Sequence, residues 1–341
     1  MTERENRAAG CIFGGAAGDA LGYPVEFMEA DTIFFRYGDR GITRYATANG
    51  KALISDDTQM TLFTADGLFA AERRYRCPTA AQYIGCIHES YLNWLVTQDK
   101  TFRLPEGAAR SPLLGCGALY ARRAPGGTCL SALESGYCGT FDRKLNRSKG
   151  CGGVMRVAPV AVRFAHQRVS AQDVARLAAQ AAAVTHGHPL GYIPAAFLAG
   201  LILRILRGEE LRGAVQRARH DLFANFDDDA DLRTFLERID AAVALADDGT
   251  IADDLDAIRA LGAGWVAEET VAIALYCVLR HAAFEDAIVA AVNHDGDSDS
   301  TGAVAGNIMG ALTGLTGIGE AFLAPLELKD LLYATALRLA Q

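Results

Sequence analysis

Two short acidic segments, far apart in the chain, hold the side chains best suited to chemistry. One is Ser55-Asp56-Asp57-Thr58; the other is Asp295-Gly296-Asp297-Ser298-Asp299-Ser300-Thr301. Each sets neighbouring carboxylates among hydroxyls, with few basic residues nearby in sequence. Carboxylates crowded in this way repel one another, and a bound divalent cation removes that repulsion. A donor set made only of oxygen suits Mg2+, Mn2+ or Ca2+ rather than zinc or copper. Each segment also has a purely structural reading. Ser-Asp-Asp-Thr is a good helix N-cap, with acids at the positive end of the helix dipole, and the second segment reads equally as a solvated acidic turn. A calcium loop of the EF-hand kind is excluded: its sixth position is Ser300 instead of glycine, and its twelfth is Gly306 instead of glutamate.

Between these segments lies Gly150-Cys151-Gly152-Gly153, followed by Val154-Met155-Arg156. Glycines let the backbone come close to a ligand, and successive N–H groups can cradle a pyrophosphate, although the same composition also describes a plain flexible loop. Arg156 could pair with phosphate or buttress the loop. Cys151, next to glycines and near Lys149, would need a His or carboxylate partner to act as a nucleophile. His186-Gly187-His188 reads either as a metal pair or as a helix C-terminus with a capping histidine.

The elements that must position these groups are helices. Half of the 341 residues are hydrophobic and 22% are charged, which excludes a mainly disordered chain. Alanine and leucine dominate, and strand-like alternation is scarce. Helices are predicted over Gly10–Leu21, Ser55–Phe69, Cys77–Val96, Ser170–Val184, Tyr192–Leu206, Asp231–Ala246, Ala267–Arg280 and Phe284–Val292. Ser170 caps its helix with Asp173 three residues later, and Gly187 is placed as the C′ glycine. Gln98–Gly127 and Gly139–Gly153 read as loops. Gly10, Gly14, Gly18 and Gly22 recur every four residues, as do Gly302, Gly306, Gly310 and Gly314. Each glycine costs a helix about 1 kcal/mol relative to alanine, so two such rows imply helices in close backbone contact. Length alone suggests two domains of ~150 residues. The chain shows no linker, no long repeat and no strand–turn–helix alternation, so one all-α domain spanning 1–341 is expected.

The net charge of −8 argues against general nucleic-acid binding through a broad basic surface. It leaves room for a local phosphate pocket built on a helix N-terminus. None of the eight cysteines forms a C-x-x-C pair, so a structural zinc is not expected. Reduced thiols and a cytoplasmic location are the expectation. The polar start Met1–Ala9 lacks an apolar core. Tyr192–Leu206 is the most apolar stretch, but Pro194 and Arg204 interrupt it and it is too short to span a bilayer.

The segments together resemble the ADP-ribosylhydrolase family, which includes the dinitrogenase reductase-activating glycohydrolases. They stand in the family's order: Gly14-Gly15-Ala16-Ala17-Gly18-Asp19-Ala20-Leu21-Gly22 with Glu26 soon after, Ser55-Asp56-Asp57-Thr58, Gly150 to Arg156, Thr185-His186, Gly264-Trp265 with Glu268-Glu269, and Asn293 leading into Gly296-Asp297-Ser298-Asp299-Ser300. The likeness runs from about Gly10 to Gly314. It implies a compact all-α domain with a binuclear Mg2+ or Mn2+ centre held by Ser55, Asp56, Asp57, Asp297, Asp299 and Ser300. By the same resemblance Glu26 lies near the scissile bond, with Asp57 and Asp297 at the catalytic centre. Gly150, Gly152, Gly153, Val154 and Met155 would contact ADP-ribose, with His186 on the same wall. Ser55 and Ser300 stand where Thr is common, and Asp295 where Gly is frequent; an added carboxylate there would alter metal affinity or pocket charge.

The implied reaction is metal-dependent hydrolysis of the bond between ADP-ribose and a modified side chain, with ADP-ribosyl-arginine on protein favoured over ADP-ribosyl-serine or nucleic acid. Glu26 would activate water or position a ribose hydroxyl. The implied partners are an ADP-ribosylated protein and ADP-ribose. An alternative is a binding or immunity protein that neutralises an ADP-ribosylating toxin by occupying it; the complete acid set favours catalysis.

Overall fold

The computed structural model describes residues 1–341: sixteen α-helices joined by loops and short 3-10 turns, with isolated β-bridges only. The chain opens with α1 (Glu3–Gly22), a short α2 (Ala30–Tyr37), then α3 (Asp56–Arg74) and α4 (Ala80–Gln98). After an irregular stretch come α5 (Gly127–Glu134), α6 (Ala158–Phe164), α7 (Ala171–Ala183) and α8 (Pro189–Leu206). The second half holds α9 (Leu211–Asp221), α10 (Ala230–Asp247), α11 (Asp254–Leu261), α12 (Ala267–Arg280), α13 (Phe284–Val292), α14 (Ser298–Thr313), α15 (Glu320–Leu323) and α16 (Lys329–Leu339).

The two glycine rows face each other. A Cβ added at Gly10 would lie 2.2 Å from the Gly310 oxygen, one at Gly14 2.1 Å from Gly306 O, and one at Gly18 1.9 Å from Gly302 O. No side chain fits, so α1 and α14 run antiparallel with their backbones touching. Asn307 Nδ2 adds a hydrogen bond across the seam to the Cys11 carbonyl, at 2.8 Å. One consequence bears on function. The end of α1 at Gly22 abuts Ser298 at the start of α14, so the turn carrying Glu26 arrives beside Asp297 and Asp299.

Helix α3 is fixed against this seam by polar contacts. The Asp19 carboxylate of α1 accepts the N–H of Ser55 at 2.9 Å and that of Thr58 at 3.1 Å, and the Thr58 hydroxyl bonds it as well. Behind α3, Gln59 Oε1 accepts from Trp94 Nε1 at 3.1 Å and from Gln98 Nε2 at 2.9 Å, which pins α4. One continuous apolar core surrounds these helices; each fully buried Leu or Phe in it contributes about 1.5–3 kcal/mol.

Several boundaries differ from the sequence reading. Gly187 is not the C′ residue of α7: that helix ends at Ala183 with Val184 as its cap, and Gly187 lacks the positive φ of a left-handed cap. His188 caps a helix, but at its start, where Nδ1 accepts the Leu190 N–H at 3.1 Å and opens α8. Thus α8 begins three residues earlier than expected and reaches 18 residues. It is long and apolar enough to cross a bilayer by length and composition, yet 89% of it is buried inside the fold. Its Arg204 is absorbed by ion pairs to Asp221 and Glu209. Gly314 lies past the end of α14 with φ +71 and closes it as a C-cap. The short helices α2, α6 and α11 gave no periodic signal long enough to detect.

Candidate active site

The two acidic segments meet. Helices α3 and α14 start side by side, so both positive dipole ends point at one cavity of about 320 Å3. Capping and chemistry are divided among neighbouring residues. Ser55 is the N-cap of α3, its Oγ accepting the Asp57 N–H at 3.2 Å. Asp297 caps α14, accepting from Ser300 N at 3.2 Å. Asp56, Asp57, Asp297, Asp299 and Ser300 all line the cavity with Glu26. The ligand oxygens of Glu26, Asp297 and Asp299 lie within 4.8 Å of one another. The register of α14 depends on Gly296: a Cβ there would lie 1.9 Å from the Ala263 oxygen, which accepts the Asp297 N–H at 2.9 Å.

These carboxylates are buried and lack countercharges, since no Lys or Arg lines the cavity. Burial, then the charge of Asp299, pushes Asp19 up to about 7. Burial, then Asp299 and Asp297, pushes Glu26 up to about 10. Asp57 and Asp299 are driven well above the ordinary range, first by burial and then by neighbouring carboxylates. Asp56 is raised by burial, against a hydrogen bond from Gly126 N at 3.0 Å. Glu26 Oε2 and Asp57 Oδ2 have no hydrogen-bond partner at all. Orphaned carboxylate oxygens in a shared acidic cavity fit a divalent cation.

The glycine segment forms the opposite wall. Gly150, Gly152, Met155 and His186 face the cavity, while Gly153, Val154 and Ser55 lie behind its wall. A Cβ on Gly152 would come within 3.1 Å of the His186 ring, so glycine lets the loop pass over it. His186 Nδ1 shares a hydrogen bond of 2.9 Å with Thr185 Oγ1, and burial lowers its pKa to about 3, leaving a neutral imidazole. His188 points elsewhere, into its cap, so the two histidines form no metal pair.

Arg156 is a buttress. It is fully buried, lies 4.3 Å over the Tyr91 ring, and donates to Thr185 Oγ1 at 2.7 Å and to the Ala181 carbonyl at 3.2 Å. Asp295 also turns away from the cavity. Its carboxylate accepts the Ala30 N–H at 2.6 Å and pairs with Arg259 at 2.7 Å, so the added acid holds α2 and does not change pocket charge. Glu268 pairs with Lys149, while Glu269 accepts the Ala263 N–H at 3.0 Å. Asn293 is bonded to both backbone groups of Ile42.

Three features escaped the sequence reading. Asp19 sits inside the glycine-rich segment Gly14–Gly22, where an acid between two helix-face glycines is its signal. Phe27 and Trp265 stack at the cavity mouth, with centroids 5.6 Å apart and planes 20° apart, although they are 75% and 42% exposed. Trp265 stands in the Gly264-Trp265 segment, but nothing in the sequence pairs it with Phe27. The stretch Ala124–Cys129, of which Ala124–Gly127 is predicted as loop and Gly127–Cys129 opens α5, supplies the remaining side wall.

The all-helical fold is shared with the ADP-ribosylglycohydrolases. The chain belongs to this family, whose profile matches residues 1–341. It is 23% identical over 329 residues to the ADP-ribosyl-[dinitrogen reductase] glycohydrolase of Rhodospirillum rubrum, covering 95% of this chain and 91% of that one. It is 28% identical over 197 residues to human ADP-ribosylhydrolase ARH3, covering about half of each: 51% of this chain and 53% of that one. A solved structure titled ADP-ribosylglycohydrolase-related protein complex superposes with a TM-score of 0.63 at 25% identity, covering 100% of this chain and 99% of that one.

Proposed function

We propose that this chain hydrolyses the glycosidic bond between ADP-ribose and an arginine side chain of a modified protein, using two Mg2+ or Mn2+ ions. The observation that carries this reading is the convergence of five buried carboxylates on one cavity, with Glu26 Oε2 and Asp57 Oδ2 unpartnered. The near full-length likeness to a bacterial glycohydrolase whose name specifies a protein substrate supports protein-linked ADP-ribose. Free thiols at all eight cysteines agree with a cytoplasmic setting.

Asp56, Asp57, Asp297, Asp299 and Ser300, which line the cavity, would hold the ions, with Ser55, expected as a ligand from the resemblance, behind them as the cap of α3. When bound, such a pair supplies a Lewis-acid site that orients ribose hydroxyls and acidifies water. The protein's own groups do the rest. The carboxylates place negative charge beside the anomeric carbon, where oxocarbenium character develops. Glu26 exchanges a proton at Oε2 with water or a ribose hydroxyl. The Gly150–Met155 wall and neutral His186 line the path of the diphosphate, and the Phe27–Trp265 pair offers a flat apolar face to a base. The toxin-neutralising alternative gains no support from the relatives.

The test is incubation with an ADP-ribosyl-arginine protein in Mg2+ or Mn2+, then with chelator, following substrate mass. Loss of one ADP-ribose only with metal is expected. Retention of the label on arginine, serine and nucleic-acid substrates alike overturns the reading in favour of an ADP-ribose binder.

A further inference from the structure

Cys151 lies in the cavity wall without a task in that reaction. Its Sγ sits 2.7 Å from Asp297 Oδ2. The backbone holds it there: its N–H donates to the Trp265 carbonyl at 3.2 Å, and its own carbonyl accepts from Val154 N at 2.8 Å and Met155 N at 3.2 Å. Lys149, two residues away, does not balance a thiolate, because its ammonium is taken by Glu268. A second sulfur is close by, Met155 Sδ lying 4.0 Å from Ser300 Oγ. Across the same cavity Asp57 Oδ2, on a residue only 2% exposed, has no partner. One wall therefore presents carboxylate oxygen, and the glycine-loop wall presents sulfur.

We propose that Cys151 supplies a thiolate to the cation held by Asp297, making this centre a site for thiophilic divalent cations such as Zn2+ and Cd2+. The inference rests on the metal-centre reading above. The bond balance is simple. The cation replaces the thiol proton between sulfur and carboxylate, the proton passes to bulk water, and no electron is transferred. Zinc–sulfur bonds of about 2.3 Å and zinc–oxygen bonds of about 2.0–2.2 Å set the two donors roughly an ångström further apart than they are without the ion, a change within reach of side-chain rotation. Sulfur favours softer ions, while a hydroxyl at the same place does not. Mg2+ and Mn2+, bound through oxygen, are indifferent to the thiol.

The experiment compares the full chain with its Cys151→Ser variant, titrating each with Cd2+ and with Mn2+, and recording the absorption of the Co2+ forms. Weakening of Cd2+ binding by about 10- to 100-fold is expected, the scale known for outer-shell groups and a lower bound for a direct ligand. Mn2+ affinity stays unchanged, and the sulfur-to-cobalt charge-transfer band of the wild type disappears. Equal Cd2+ affinities together with a missing charge-transfer band in the wild type overturn the inference while leaving the metal centre standing. Failure of both chains to bind Mn2+, with circular dichroism unchanged, overturns the inference and the metal centre together.

Discussion

The Asp19 carboxylate accepts the backbone N–H of Ser55 at 2.9 Å, tying the last turn of α1 to the cap of α3. It also takes the Thr58 N–H and hydroxyl, so three donors at the start of α3 depend on one buried acid. A positioning role follows: Asp19 does not line the cavity, but it sets where Asp56 and Asp57 point. Asp19→Ala leaves those donors buried and unpaired, at a cost of about 1–3 kcal/mol for each. A clear drop in the denaturant midpoint is expected, with weaker Mn2+ binding. Asp19→Asn keeps one acceptor oxygen and loses less of both. Equal midpoints for the alanine variant and the wild type count against this role.

The glycine seam makes a sharper structural prediction. At Gly14 a Cβ would lie 2.1 Å from a backbone oxygen that cannot give way, whereas at Gly85 in α4 nothing lies within 4 Å. Gly14→Ala forces α1 and α14 apart, costing about 1–3 kcal/mol or more, and moves Glu26 relative to Asp299. Gly85→Ala stabilises by about 0.4–1 kcal/mol through the unfolded state. Thermal midpoints moving in opposite directions bear this out; a neutral Gly14→Ala contradicts the seam.

Much of this was legible in the sequence, for reasons that can be named. Gly14 and Gly306 betray the seam because a four-residue glycine period has little other use in a helix, and Asp57 and Asp299 betray the site because adjacent acids need a cation or a cap. The period does not say which row faces which; that information lies in the three-dimensional packing. Capping and ligation looked like rival readings of Ser55-Asp56-Asp57, whereas the helix assigns the cap to Ser55 and frees the carboxylates that follow. Asp295 misled, because a carboxylate beside a site reads the same whether it turns inward or pairs with Arg259. The Phe27–Trp265 stack joins residues more than two hundred positions apart, with no periodicity to announce it.

The raised carboxylates imply a particular pH dependence. Asp19 is pushed up to about 7 and Glu26 up to about 10, mainly by burial and then by Asp299. The folded chain therefore holds protons that the unfolded chain releases near pH 4, and its stability falls as pH rises from there. Without metal, midpoints should decline steadily from about pH 4 through 7 and beyond. Mn2+ should restore them most at the alkaline end, with proton release seen by calorimetry in buffers of different ionisation heat. A metal-free chain that grows more stable between pH 5 and 8 goes against the sign worked out here.

Removing one of these acids should separate stability from function. Asp57 is buried, its Oδ2 has no partner, and its charge meets those of Asp299, Asp19 and Asp56. Asp57→Asn keeps the shape and deletes a repelling charge, so the metal-free protein at pH 8 should gain about 0.5–2 kcal/mol, the usual yield when a strained functional site is relaxed. The same change takes away a cation donor, and Mn2+ affinity and ADP-ribose release should fall by more than the ~10–100-fold seen for outer-shell groups. Denaturation with and without Mn2+ measures both at once: the variant is expected to be the more stable protein in chelator and the less stable one in saturating Mn2+. If it is less stable in both, the Asp57 carboxylate contributes to the fold itself, and the strain attributed to the acidic cavity does not exist.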